Sequence, residues 1–169
     1  MSKDKTATRH GARQLAFQVL YGLSFSPVEN LDDLKDIFSQ SPGHPDLPES
    51  EVRTKPSGFA WELVEGVWKS RELLDDVIES HSHNWRIQRM GRVELTLLRL
   101  AVFEMLFRPD IPPRVAINEA LEFNRQFGEN KAGSFVNGIL DAVNKGLETG
   151  ECKRPVALPT HISKTSDLS

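Results

Sequence analysis

Residues 91–107 read Gly91-Arg-Val-Glu-Leu-Thr-Leu-Leu-Arg-Leu-Ala-Val-Phe-Glu-Met-Leu-Phe107. Val93, Leu95, Leu97, Leu98, Leu100, Val102, Met105 and Leu106 fall on every side of a helical wheel. A surface helix confines its apolar residues to one stripe, whereas a helix apolar all round must be enclosed by others. The stretch therefore belongs at the centre of a helical bundle. Arg99 and Glu104 interrupt it, and charges in a core are costly unless paired. Both are expected to make internal bonds to carboxylates, chain turns or backbone groups.

Outward from this helix the pattern stays helical, and no stretch alternates with period two. Towards the N-terminus, Asn84–Arg89 forms a short turn with Trp85 expected as a core anchor. Gly58–His83 carries an apolar stripe of Leu63, Val67, Leu74, Val77 and Ile78, with a bend expected near Gly66. Residues 41–57 hold Pro42, Gly43, Pro45, Pro48 and Pro56 among polar residues and read as a surface loop. Leu31–Phe38 is a short helix. Thr8–Ser24 is an amphipathic helix with Ala12, Leu15, Ala16, Val19, Leu20 and Leu23 on its apolar face, ended by Pro27. Residues 1–8 form a flexible basic leader.

Towards the C-terminus, Pro109, Pro112 and Pro113 break the chain. Pro113 sits at a first helical position, which tolerates a missing N–H. The helix from Arg114 to Phe127 is expected to bury Ala116, Ile117, Ala120, Leu121, Phe123 and Phe127, with Gly128 as its C-terminal cap. A last helix, Ala132–Leu147, turns Val136, Ile139, Leu140, Val143 and Leu147 inward. Residues 150–169 show no helical period and are expected to be a disordered tail. The expected fold is all-α, one helical domain over 9–149.

Composition bounds the function. The chain has 169 residues, 38% apolar and 27% charged, as in an ordinary globular protein. No apolar run could span a bilayer, and residues 1–10 lack a signal peptide's apolar stretch. The single Cys152 excludes an internal disulfide. Together these predict a cytoplasmic protein without membrane partners. The net charge of −3 argues against indiscriminate DNA coating. It leaves room for a local phosphate-binding stripe, because affinity depends on charges near the bound backbone.

Catalytic constellations fail one by one. His81 and His83 lie near Glu79 and Asp76, but their spacing is wrong for a one-face metal pair. Cys152 has no base positioned beside it. No glycine-rich loop precedes a Lys-Ser or Lys-Thr pair. No catalytic residue, metal or cofactor is expected.

The first helix offers a different chemistry. Arg9 and Arg13 are one turn apart and share a side, and Phe17, His10, Tyr21 and Gln14 continue round the wheel. Guanidinium groups interleaved with rings suit single-stranded RNA: cations pair with phosphates and rings stack on unpaired bases. The same residues also fit a solvated helix face whose aromatics pack on neighbours. On the last helix Lys131 and Phe135 lie one turn apart, and could receive a base or simply mark the edge of the core.

Three segments decide between these readings by resemblance. They are Arg9-His-Gly-Ala-Arg-Gln-Leu-Ala-Phe-Gln-Val-Leu-Tyr21, Arg92-Val-Glu-Leu-Thr-Leu-Leu-Arg-Leu-Ala-Val-Phe-Glu104, and Ile111-Pro-Pro-Arg-Val-Ala-Ile-Asn-Glu-Ala-Leu-Glu122 followed by Gly133-Ser-Phe-Val-Asn-Gly-Ile-Leu-Asp141. In this order and spacing the chain resembles the NusB family over about Arg9 to Leu147, the proline-rich loop excepted. The resemblance implies about seven helices in two packed small helical bundles. It implies a transcription antitermination factor that binds boxA-type RNA together with the ribosomal protein NusE. It also implies work in the RNA polymerase elongation complex with other Nus factors, notably on ribosomal RNA operons.

By the same resemblance, Arg9, His10, Arg13, Lys131 and Phe135 contact RNA, and Tyr21 and Glu94 face NusE. Glu94 would also favour the positive end of its own helix without any partner. Similar proteins often carry arginine where this chain has His10 and Gly11, so weak binding alone and stronger binding with a partner are expected. Monomers and a homodimer are both compatible with the resemblance. Two other readings stand beside it. One is a helical protein–protein adaptor that has lost RNA binding. The other is the front domain of an RNA cytosine methyltransferase, for which the residues after 147 leave no room.

Overall fold

The computed structural model describes residues 2–41, 58–83 and 85–159, with side chains from residue 9 onward. The proline-rich stretch expected as a surface loop lies outside the described residues apart from Ser41. Six α-helices follow in order: α1 Ser2–Leu23, α2 Leu31–Gln40, α3 Gly58–Ser80, α4 Arg92–Phe107, α5 Pro113–Phe127 and α6 Gly133–Thr149. Short 3-10 turns at Ile87–Arg89 and Asn130–Ala132 precede α4 and α6. There are no strands among the described residues.

The central placement of α4 holds. Thr96, Leu97, Leu98 and every residue from Leu100 to Leu106 are buried, which covers the whole circumference. α1 and α3 pack on one side of it, and α5 and α6 on the other. α2 closes the first group, with Leu34 and Phe38 buried and the Phe38 ring 5.2 Å from that of Trp61. Two small bundles thus share one helix.

Local signals explain the boundaries. Asn30 caps α2: its Oδ1 accepts the Asp33 N–H at 2.8 Å, a bond that stabilises a helix by about 1 kcal/mol. Pro113 occupies the first turn of α5. Gly128 ends that helix, its N–H donating to the Asn124 carbonyl. Gly150 ends α6 at φ 81, a left-handed conformation that suits glycine.

Several expectations change. The leader is helical from Ser2, so α1 begins earlier than its apolar stripe. No break interrupts α3 at Gly66. The Phe103 ring of α4 lies where a side chain at Gly66 would be. Glycine there makes a notch for close packing. Phe127, expected inside, is 42% exposed at the end of α5. Residues 150–159 are non-helical yet tied down: the Cys152 N–H donates to the Gly146 carbonyl at 2.9 Å, and Arg154 Nε donates to the Met105 carbonyl at 3.0 Å. Burial pushes the Cys152 thiol up.

Candidate nucleic-acid interface

The two arginines expected to share one exposed stripe have different fates. Arg13 is buried, only 3% exposed, and its guanidinium grips Glu104 of α4. Nε donates to both carboxylate oxygens at 2.9 and 3.1 Å, and Nη2 donates to Oε1 at 2.7 Å. Burial pushes the Glu104 carboxyl up, and the Arg13 guanidinium pulls it part of the way back. Arg13 therefore lies inside as a strut between α1 and α4 and not on the exposed stripe where the phosphate contact was expected. The wheel placed it beside Arg9, but α4 and the Glu104 carboxylate cover that flank. The internal role expected of Glu104 and Arg99 is observed, Arg99 making a two-pronged bond to Asp75 at 2.6 and 2.8 Å.

Arg9 is exposed and meets Asp110 loosely at 3.9 Å. Its guanidinium carbon lies 5.4 Å from the centre of the Phe59 ring, which Arg13 and Arg108 approach to 5.2 and 5.1 Å. Such cation–ring contacts help hold the arginines in place. Arg108 in turn bonds Asp110 through two nitrogens at 3.0 Å each, and Glu62. That pairing holds the exposed Asp110 carboxyl below its ordinary range. His10 is half-buried, its Nδ1 2.7 Å from Glu119 and its ring stacked 5.0 Å from Phe123. Phe17 is buried against Phe123 and Phe127, as in the reading in which the aromatics of α1 pack on neighbours. Arg9, His10 and Arg13 of α1 are thus each met by a carboxylate, of Asp110, Glu119 and Glu104 in turn.

The positions expected to face a protein partner lie elsewhere along α1 and at the start of α4. Tyr21 is half-buried and meets the exposed Phe25 edge-on at 5.1 Å. Arg92 covers the Phe25 ring at 4.2 Å and donates to the Ser24 carbonyl at 2.8 Å. It thereby joins the end of α1 to the first turn of α4, where Glu94 folds its carboxylate back over Gly91. That position also serves the helix dipole.

On the opposite group of helices, Lys131 is exposed in the turn before α6 and Phe135 is half-buried in its first turn. No hydrogen bond, ion pair or ring contact among the described residues joins either to Arg9 or His10. Phe135 instead meets Trp85, rings 5.3 Å apart at 64°. Trp85, expected as a core anchor, is 51% exposed. The sequence carried a signal for this. Trp85 lies outside any helical stripe, in a polar turn with Arg86 and Arg89. No group of three or more metal-ligating side chains is assembled among the described residues. His81 binds the Val77 carbonyl through Nδ1 at 2.7 Å.

The helices and their surface define a class first: an all-α protein with separate patches of cations and rings suited to holding ligands. Comparison with known proteins then narrows it. The model of the NusB family matches residues 10–145. The transcription antitermination protein NusB of Desulfovibrio desulfuricans is 58% identical over 164 residues, covering 96% of this chain and 99% of that one. That of Myxococcus xanthus is 42% identical over 141 residues, covering 82% and 96%. Among solved structures, T. maritima NusB aligns with a TM-score of 0.66 at 30% identity, over 87% of this chain and 93% of that one. NusB in the structure of the antitermination factors NusB and NusE in complex with dsRNA aligns at 0.64 and 31% identity, over 82% and 96%. The chain belongs to the NusB family.

Proposed function

We propose that this protein is a transcription antitermination factor that binds boxA-type single-stranded RNA together with NusE. In that role it helps RNA polymerase resist termination, notably on ribosomal RNA operons. The observation that carries the proposal is the 58% identity to a transcription antitermination protein NusB across nearly the full length of both chains. A solved relative joined to NusE and RNA supports the choice of partners. The protein acts by binding and not by catalysis, in the cytoplasm. No helix among the described residues is long and apolar enough to cross a membrane.

On this reading Arg9 and His10 supply one part of the RNA contact, Lys131 and Phe135 another, and Tyr21 and Glu94 face NusE. Arg13 contributes by holding α1 against α4. A second reading, an adaptor with weakened RNA binding, is favoured by one feature: Arg9, Arg13 and Arg108 are balanced by Asp110, Glu104 and Glu62. Fluorescence anisotropy of a labelled boxA-type RNA, with and without NusE at two salt concentrations, separates the two. Binding that NusE strengthens and salt weakens is the expected result. No binding even with NusE would leave only the adaptor.

A further inference from the structure

We propose that Trp85 and Phe135 form a stacking site for an unpaired RNA base, with Arg86 and Arg89 neutralising the flanking phosphates. The inference rests on the RNA-binding reading above and adds Trp85, Arg86 and Arg89 to the contact at Phe135. It starts from a tryptophan that is half exposed in a segment built to hold it. The Ser82 hydroxyl is buried between the Glu79 and Trp85 carbonyl oxygens, 2.9 and 2.6 Å away. The Trp85 N–H donates to the Ser82 carbonyl at 3.3 Å, and the Ile87 N–H to the Glu79 carboxylate at 3.3 Å. His83 takes φ 41, a left-handed conformation that costs a non-glycine residue about 1 kcal/mol or more. A loop this firmly tied to the end of α3 does not leave Trp85 outside the core through slackness.

The surroundings choose the occupant. Arg86 and Arg89 are exposed, and the Arg89 N–H donates to the Arg86 carbonyl at 2.9 Å in the 3-10 turn. That bond closes the turn and keeps the two arginines close together along the chain, beside Trp85. Among the described residues neither has a carboxylate partner, in contrast to Arg9, Arg13 and Arg108. Lys131 adds a further exposed cation one turn before Phe135. Two accessible rings beside unpaired cations match a single nucleic-acid strand, whose bases offer flat faces and whose phosphates carry the charge. A protein partner with an apolar surface would have to bury these guanidiniums unpaired.

The test uses the full chain with NusE, a labelled single-stranded boxA-type RNA and a duplex of the same sequence. Trp85→Ala weakens single-strand binding about tenfold, the size of one base–ring stack. Trp85→Phe restores most of it, and duplex binding changes little because its bases are already stacked. Arg86→Ala with Arg89→Ala lowers the slope of log affinity against log salt by about 1.4, at roughly 0.7 per phosphate contact on a single strand. Circular dichroism checks that each variant is folded. Wild-type affinity in folded Trp85→Ala overturns the stacking site and leaves the antitermination reading standing, as does a loss of NusE binding with RNA binding intact. Failure of the wild-type protein to bind RNA overturns both.

Discussion

The basic end of α1 and the Trp85–Phe135 face both combine cations with rings, yet they spend their cations differently. At the α1 end Arg13 is enclosed with Glu104, and Arg108 and Arg9 meet Asp110. At the Trp85 face Arg86, Arg89 and Lys131 stand in solvent. The first arrangement joins helices and the second is free to meet a ligand. Residue type alone does not separate them; the carboxylates brought by distant parts of the chain do.

The sharpest way to break this contrast is Arg13→Ala. If Arg13 is a strut, its loss strands Glu104 in the core and costs about 3–5 kcal/mol. Urea unfolding measures that as a lower midpoint at unchanged slope. Replacing both partners, Arg13→Leu with Glu104→Leu, should recover most of the loss, because no unpaired charge is then buried. A folded Arg13→Ala protein of wild-type stability that binds RNA poorly would return Arg13 to the RNA surface.

The contrast also marks how far sequence patterns reach. The all-round apolar character of 91–107 placed α4 at the centre, because burial on every side leaves a local signature. The start of α5 at Pro113 was legible because proline acts on its own backbone, whereas α1 ends at Leu23, before Pro27 is reached. Arg13 was not legible as buried. Its partner Glu104 is 91 residues away, and a helical wheel shows only neighbours along one helix. The packing reason for Gly66 was not legible either, since it is the Phe103 ring from another helix. Trp85 was placed inside on residue type, although nothing in its turn had helical period. Lys131 and Phe135 as a candidate pair came from their spacing and from resemblance; the ring that Phe135 meets came from the fold.

Ser82→Ala tests whether the Trp85 face is held ready. Removing a buried hydroxyl set between two carbonyl oxygens should cost about 1 kcal/mol of stability. RNA affinity should fall less than in Trp85→Ala, because the ring remains but is less well placed. Equal losses from both variants would mean that the loop, not the ring, carries the effect.

Arg9→Ala probes an α1 cation with an exposed, loose partner. Its stability should stay within about 0.5 kcal/mol of wild type, as for an exposed ion pair. RNA affinity at low salt should fall about fivefold, and the salt slope by about 0.7, the mark of one lost phosphate contact. An unchanged slope would assign the whole phosphate contribution to other cations.

Asp110→Asn carries the smallest expected effect and the most direct bearing on the contrast. Asp110 is the carboxylate that both Arg9 and Arg108 meet, so it competes with any phosphate approaching them. Neutralising it leaves the buried Arg13–Glu104 pair in place and removes one negative charge from the surface. RNA affinity should rise about twofold at low salt, within the worth of one exposed ion pair. The gain should shrink as salt rises and the Debye length falls to about 10 Å and below. A gain at low salt would show that the α1 end is a phosphate site restrained by its own carboxylates. No gain at any salt would make it wholly structural and leave the Trp85 face as the main electrostatic contact.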